Sequence, residues 1–274
     1  MSSFDFRNKQ PFSAEQISLL NFFENFTWRT EIEEYEYDKN TSYANINIRQ
    51  HHFDNGTVRI TTPGIYTLQE DIVFEPNPQN DFMPTGNQIM SGQYPVGLNG
   101  AYHLGFFAAI TVECEDVVLN LNNYSVKQSK LHYLQQRFYA NIELASAPFI
   151  PKQGPGAFST ESTYKSAENI LIKNGTLGLS SHHGIHGNTI KGVILQNLTV
   201  KNFEIAGIAL NGGKDSFLDN IKLENTKLDV PISAKYSQAR FIRHYLKKIP
   251  MRTTFNNKSR DEIINNLNVE MLKT

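Results

Sequence analysis

Three segments of this chain repeat one another at a fixed spacing, and that repeat limits its fold more than any other feature. "ILIKNGTL" starts at Ile170, "VILQNLTV" at Val193 and "SFLDNIKL" at Ser216, each 23 residues after the last. Superposing them puts Asn174, Asn197 and Asn220 in one column, with Ile172, Leu195 and Leu218 before it and Leu177, Val200 and Leu223 after it. The register continues: Gly184 and Ile185 match Gly207 and Ile208, Asn188 matches Asn211, Lys191 matches Lys214, and Asn202 matches Asn225. A looser copy, "LNLNNYSV" from Leu119, places Asn123 in the asparagine column.

A period in the low twenties, rich in β-branched residues, Asn and Gly, predicts stacked short strands with no room for a helix of normal length. Strands stacked at about 4.8 Å turn column residues into neighbours, and asparagines at a turn accept left-handed backbone geometry. The expected fold is therefore all-β, with stacked coils of about 23 residues capped by helices at both ends, and it resembles a single-stranded right-handed parallel β-helix. The pattern resembles the pectin-lyase-like superfamily of such solenoids. On that resemblance, Asn174, Asn197 and Asn220 would be an internal asparagine ladder. "TTPGIYTLQEDIVF" from Thr61 is similar to the "PGxYxL" phrase that opens the first coil. The likeness runs from about Thr57 to Val230 and implies a fold more than a chemistry, because one scaffold serves many functions.

The expected organisation is an N-terminal capping region over 1–56, the coils over 57–230 and a C-terminal helical region over 231–274. Two segments interrupt the repeat. Residues 75–103 form a Pro/Gly/Asn loop, and residues 127–166 open with a helix-like run, Ser129–Ala145, before three prolines. Ser13 with Gln16 predicts a capped N-terminal helix, "SAKYSQARFIRHYLKK" a second helix, and Ser259 with Glu262 a third. Leu171, Ile194 and Phe217 form an apolar column on the strand face opposite Ile172, Leu195 and Leu218. An exposed stripe of that kind is expected to be covered by helices of the chain or to form a homo-oligomer or assembly interface.

With 26 Lys+Arg against 27 Asp+Glu, the chain is close to neutral and has no polybasic run, so no nucleic-acid partner is expected. No stretch approaches the roughly 18 apolar residues of a membrane span. The polar start, "MSSFDFRNKQPFS", does not read as a secretion signal. The lone cysteine, Cys114, fits a reducing compartment, which favours an intracellular or virion-associated location.

The chemistry centres on "HHGIH", with His182, His183 and His186. Parity in an extended strand puts His183 on the Ile185 face and sets His182 and His186 about 13 Å apart at ~3.3 Å per residue. One metal ion would not bridge that gap, so no metal and no cofactor are expected. "HHGIHG" has a superficial likeness to the Gly-His-Gly motif of the polygalacturonase family, but the paired aspartates and the arginine that accompany it are missing. Glycoside hydrolysis generally needs two carboxyl groups across the scissile bond, and Glu204, Asp215 and Asp219 do not stack in register. An elimination lyase would need a base beside a cation, for which His186, Lys191 and Lys214 are the candidates. His182, Tyr94, Tyr102, Phe158 and Tyr164 are the candidate substrate-binding residues, with Phe149, Gln153 and Asn99 as further loop residues suited to sugars.

The expectation is carbohydrate (polysaccharide) binding or processing, lyase-like or glycoside hydrolase-like if enzymatic. The alternative is a non-enzymatic structural or assembly protein, such as a viral or surface component. The absence of paired catalytic carboxylates favours the second, and the loop aromatics and amides favour the first.

Overall fold

A computed structural model describes residues 44–95, 100–153, 161–225, 238–240, 242–243, 246–247, 254–255 and 257–272. The chain divides into Met1–Ser42 and Tyr43–Thr274, and all described residues belong to the second unit.

Two parallel sheets build that unit. The larger has eight strands: β1 (Ala44–Ile48), β3 (Gly64–Leu68), β6 (Glu115–Asn120), β9 (Glu168–Leu177), β11 (Lys191–Lys201) and β13 (Lys214–Glu224) lie side by side in that order. β4 (Ile72–Phe74) pairs with β7 (Ser125–Gln128), which also joins β9. The smaller has five: β12 (Ala206–Asn211), β10 (His183–Asn188), β8 (Ala140–Glu143), β5 (Ala108–Val112) and β2 (Val58–Ile60). Helices α1 (Gly86–Met90) and α2 (Lys130–Gln135) are interleaved among the strands. A short antiparallel pair, β14 (Thr254–Phe255) and β15 (Lys258–Ser259), precedes helix α3 (Arg260–Leu272).

The all-β, single-stranded right-handed β-helix is therefore corrected, and with it the pectin-lyase-like solenoid. The strands belong to two separate parallel sheets with helices between them, an α/β-like arrangement. The period could not reveal this. Each 23-residue unit holds two strands, for example β11 and β12, and those two join different sheets.

The register itself is as aligned. Lys191 pairs with Lys214, Ile194 with Leu171 and Phe217, Ile185 with Ile208, and Asn188 with Asn211. Alternation then sorts the side chains. Leu119, Ile172 and Leu195 are fully buried in one apolar cluster with Ile142 and Ile185. On the opposite face, Val118, Leu171 and Ile194 are only 4%, 6% and 3% exposed, so both faces of these strands are buried, as is usual for parallel sheets. Burial fades toward β13 on both faces: Phe217 on the stripe is half-buried, and Leu218 opposite it is 49% exposed.

The asparagine column stacks, but on the surface rather than inside. Asn197 Nδ2 donates to Asn174 Oδ1 at 3.1 Å and Asn220 Nδ2 to Asn197 Oδ1 at 2.8 Å. Asn197 and Asn220 are exposed, and all three residues have φ between 51° and 58°. The ladder thus satisfies a left-handed corner, a conformation that asparagine tolerates better than most residues.

In the earlier copy the register holds after the corner, where Ser125 pairs with Thr176, Val126 with Leu177, and the Asn123 N–H donates to the Asn174 carbonyl at 2.7 Å. Before the corner it is displaced by two: Leu119 pairs with Ile172, and the Asn174 amide reaches Asn120 at 3.5 Å. The "PGxYxL" strand, β3, is not the first, since β1 precedes it and pairs with it. The predicted Ser129–Ala145 helix lasts only through α2. The helix is capped by Ser129, whose Oγ accepts from the His132 N–H, and the chain then turns to form β8. At the C-terminal end, Glu262 N–H donates to Ser259 Oγ at 3.1 Å and starts α3. The predicted helix at Ser13 lies outside the described residues. The one after Pro231 is helical where it is described, at 238–240, 242–243 and 246–247.

Candidate functional site

Three neighbouring strands of the smaller sheet carry the site. Ile142, Ile185 and Ile208 lie side by side on β8, β10 and β12, and the first two are fully buried. The next residue along each strand points the other way. Those residues are Glu143, His186 and Ala209. Glu143 is 1% and His186 8% exposed, and both line a cavity of about 220 Å³. The cavity's far wall comes from Phe138, Tyr139 and the loop that carries Phe149 and Gln153.

Glu143 binds His186 at close range: its two carboxylate oxygens lie 2.9 and 2.7 Å from Nδ1. The other ring nitrogen is set by a chain of amides. Asn188 Nδ2 donates to the Pro148 carbonyl at 3.3 Å, which turns Asn188 Oδ1 toward Asn211. Asn211 Nδ2 donates to that Oδ1 at 3.0 Å and lies 3.3 Å from His186 Nε2. A donor facing Nε2 requires a lone pair there. The neutral imidazole therefore carries its proton on Nδ1, against Glu143, and offers Nε2 to the cavity.

Electrostatics bind the pair into one unit. Burial pushes the His186 pKa down, but the charge and hydrogen bond of Glu143 together outweigh it and hold the value above the ordinary one. Burial pushes the Glu143 carboxyl up, and its partner offsets this only in part. His182 and His183 both shift downward, first through burial and then through the neighbouring imidazoles, His183 to about 3. At neutral pH these two rings are uncharged.

The structure brings all three histidines together, contrary to the extended-strand estimate. The His183 ring stacks on His186 at 5.0 Å and 13°, and lies 4.0 Å from the His182 ring. The reason is local. The strand begins only at His183, whose carbonyl accepts from Ser180 Oγ at 2.6 Å, so His182 lies in a bend before it. Gly184 allows the close packing next to it, since a Cβ there would sit 2.5 Å from the Gly207 carbonyl oxygen. Among the described residues, no three His, Cys, Asp or Glu side chains are placed to hold one metal ion.

The other sequence candidates fall elsewhere. Lys191 is exposed and pairs with Glu168 at 2.6 Å, and Lys214 is exposed beside it on β13. Neither lines the cavity. Tyr94 and Tyr102 are each 2% exposed and pack on Phe106 in the core. The Tyr94 hydroxyl donates to the Thr57 carbonyl at 2.7 Å, so these tyrosines hold the fold and do not face a ligand. Tyr164 is half-buried and donates to the Asn188 carbonyl at 3.2 Å, next to the site. Phe158 and Asn99 lie outside the described residues. Phe149 and Gln153 do line the cavity.

Glu143 and the role of Asn211 escaped the sequence reading. Glu143 sat inside a run taken as helix. The signal was its alternation: polar Asn141 and Glu143 between apolar Ile142 and Leu144, a strand period, with Ile142-Glu143 echoing Ile185-His186.

As chemistry, the cavity offers aromatic faces, amides and an imidazole whose carboxylate partner fixes it. Among the described residues it has no second carboxylate, and no lysine or arginine lines it. Nearby Arg137 is occupied by an ion pair with Glu204. Comparison with protein-family models, curated proteins and solved structures gives no match to this chain.

Proposed function

We infer that the cavity binds a neutral carbohydrate unit of a polysaccharide or oligosaccharide. One observation carries this reading: the cavity is lined by the aromatic rings of Phe138 and Phe149 together with the amides of Asn188, Asn211 and Gln153, and among the described residues by no lysine or arginine. Sugars present apolar C–H faces to aromatic rings and hydroxyls to amides, and a neutral sugar needs no cation. A uronate would leave its carboxylate unneutralised beside Glu143.

Isothermal titration with neutral oligosaccharides and with oligogalacturonates tests the reading. Saturable binding of a neutral ligand, weakened several-fold by Phe149→Ala, is expected from the ~0.5–1.5 kcal/mol typical of aromatic contacts. Tighter binding of the uronate, or no binding of either, would refute it.

The structural or assembly alternative rests on β13, where Leu218 and Leu223 are 49% and 53% exposed. Leu171 and Ile194 are already covered, so any partner on that stripe would meet Phe217 and its neighbours instead. A mass above one chain by light scattering, reduced by Leu223→Asp, would support that role.

A further inference from the structure

We propose that His186 is a general base for hydrolysing O-acyl esters carried by the neutral carbohydrate, with Glu143 as its positioning residue. This inference rests on the binding reading above and names the reaction that the same cavity can support.

The argument starts from what the wall contains. Glycosyl transfer by an acid–base pair needs two carboxyl groups flanking the bond. Among the described residues Glu143 is the one carboxylate lining the cavity, and both its oxygens face the His186 ring. Elimination next to a uronate carboxylate needs a positive group to stabilise the carbanion. Among the described residues the wall has no lysine or arginine, His182 and His183 are held neutral, and the charge that His186 can take up is already countered by Glu143. What remains is one imidazole with its tautomer fixed from both sides and an amide donor beside its free nitrogen. Ester hydrolysis needs that combination: a base for water and a donor for the oxygen that becomes negative.

The step balances with water as the only co-reactant. A water replaces the long 3.3 Å contact between Asn211 and Nε2. Nε2 takes its proton as the water oxygen bonds to the ester carbonyl carbon, and the carbonyl electron pair moves onto its oxygen. The Asn211 amide, exposed at the cavity edge, donates to that oxyanion. The tetrahedral adduct then collapses, the C–O bond to the sugar breaks, and the proton on Nε2 passes to the departing sugar oxygen. A carboxylic acid and a free hydroxyl leave, and the imidazole returns to its starting form. Glu143, still ionised, stabilises the transient imidazolium.

The groups facing His186 set its pH response. Glu143 faces it from β8, His183 and His182 from the start of β10, and Asn211 from β12, while Tyr164 lies on the Glu143 side. Activity is expected to rise with pH as His186 loses its extra proton. In Glu143→Gln the negative charge that raises this transition is gone, so the rise moves to lower pH.

The test measures acetate release from O-acetylated xylo-oligosaccharides alongside binding of the same, non-acetylated sugars. Release by the intact protein is expected to fall at least about 100-fold in His186→Gln and about tenfold in Asn211→Ala. Sugar binding should be kept in His186→Gln, and the Asn211→Ala loss is read from kcat at saturating sugar, because Asn211 also lines the binding cavity. Asn211 is exposed, so its variant reports even if the His186 substitution fails to fold. Binding without acetate release overturns this inference and leaves the binding reading standing. Release unchanged in either variant, or a pH rise unmoved in Glu143→Gln, overturns it as well. An absence of sugar binding overturns the binding reading, and this inference with it.

Discussion

β10 and β12 are neighbouring copies of one strand. Both run six residues, each has glycine second and isoleucine third, and each ends on asparagine. They pair residue for residue, yet His183 faces Ala206 and His186 faces Ala209. The positions that build the frame are repeated, and so are the closing asparagines of the amide chain, but the histidines are not. Position also separates them. β10 lies between β8 and β12, with Gly184, Ile185, His186 and Gly187 all buried, whereas β12 stands last in its sheet and buries only Gly207. An imidazole–carboxylate pair can be held dry only where strands on both sides wall it in. The repeat supplies geometry, and the sheet interior supplies the environment that makes geometry reactive.

The largest way to break this contrast is to remove the carboxylate on β8. Glu143→Ala leaves His186 without its partner in a dry site, and should cost about 3–5 kcal/mol. Ala209→Gly, in the same column, should cost about 1 kcal/mol or less, from backbone freedom alone. Chemical denaturation of both variants measures the gap, and equal losses would erase the distinction.

Acid sharpens the same point. His132 on α2 is fully buried against Tyr139 of the cavity wall, and burial lowers its pKa from 6.5 to about 3. Its folded value lies below its unfolded one, so the unfolded chain takes up the proton first. Stability is therefore lost as pH falls from about 6.5 toward 3, by about 5 kcal/mol in total. His183 contributes with the same sign. His186 has the opposite sign: its raised value adds stability below the ordinary histidine pKa, and this is lost as pH rises through the folded value. Melting points measured across this range should fall less steeply in His132→Leu, and an unchanged slope would rule out the buried neutral ring.

Glycine comes next. A Cβ on Gly184 would lie 2.3 Å from Val200 Cγ1 and 2.5 Å from the Gly207 carbonyl oxygen, a backbone atom that cannot step aside. On Gly207 it would meet only side chains, Leu223 and Phe203, at 2.9 Å. Gly184→Ala should cost about 1–3 kcal/mol and Gly207→Ala clearly less, as read from urea midpoints. The smallest effect belongs to the exposed ladder, where Asn197→Leu should cost about 1 kcal/mol, mainly from the left-handed backbone. A loss several times larger would mean that the column is buried after all.

The repeat made strand register legible in the sequence because side-chain identity recurs wherever the backbone conformation recurs. Asn174, Asn197 and Asn220 are the clearest case. Sheet membership was not legible, because hydrogen bonds between strands leave no mark on the order of residues along one strand. The interior or exterior position of the ladder was hidden for the same reason, since a left-handed corner asks for asparagine on either side. His186 could be singled out, but its partner lies 43 residues earlier in the chain. A pairing between strands of that separation is a property of the fold. The histidine spacing misled because it assumed an extended chain through His182, where the Ser180 hydroxyl instead holds a bend ahead of the strand.

The amide relay also has a chemical lifetime. Asn211 is exposed and followed by Gly212, the neighbour that least hinders attack of the backbone nitrogen on the side-chain carbonyl. Ring closure followed by hydrolysis replaces the amide with a carboxylate. An aged molecule would then present an acceptor to His186 Nε2 where a fresh one presents a donor, and the imidazole would hold a second proton there. Slow deamidation at this one position would switch off the free nitrogen, and where the ring opens to isoaspartate it would also lengthen the backbone at the end of β12, in either case adding about one mass unit to the peptide that carries residue 211.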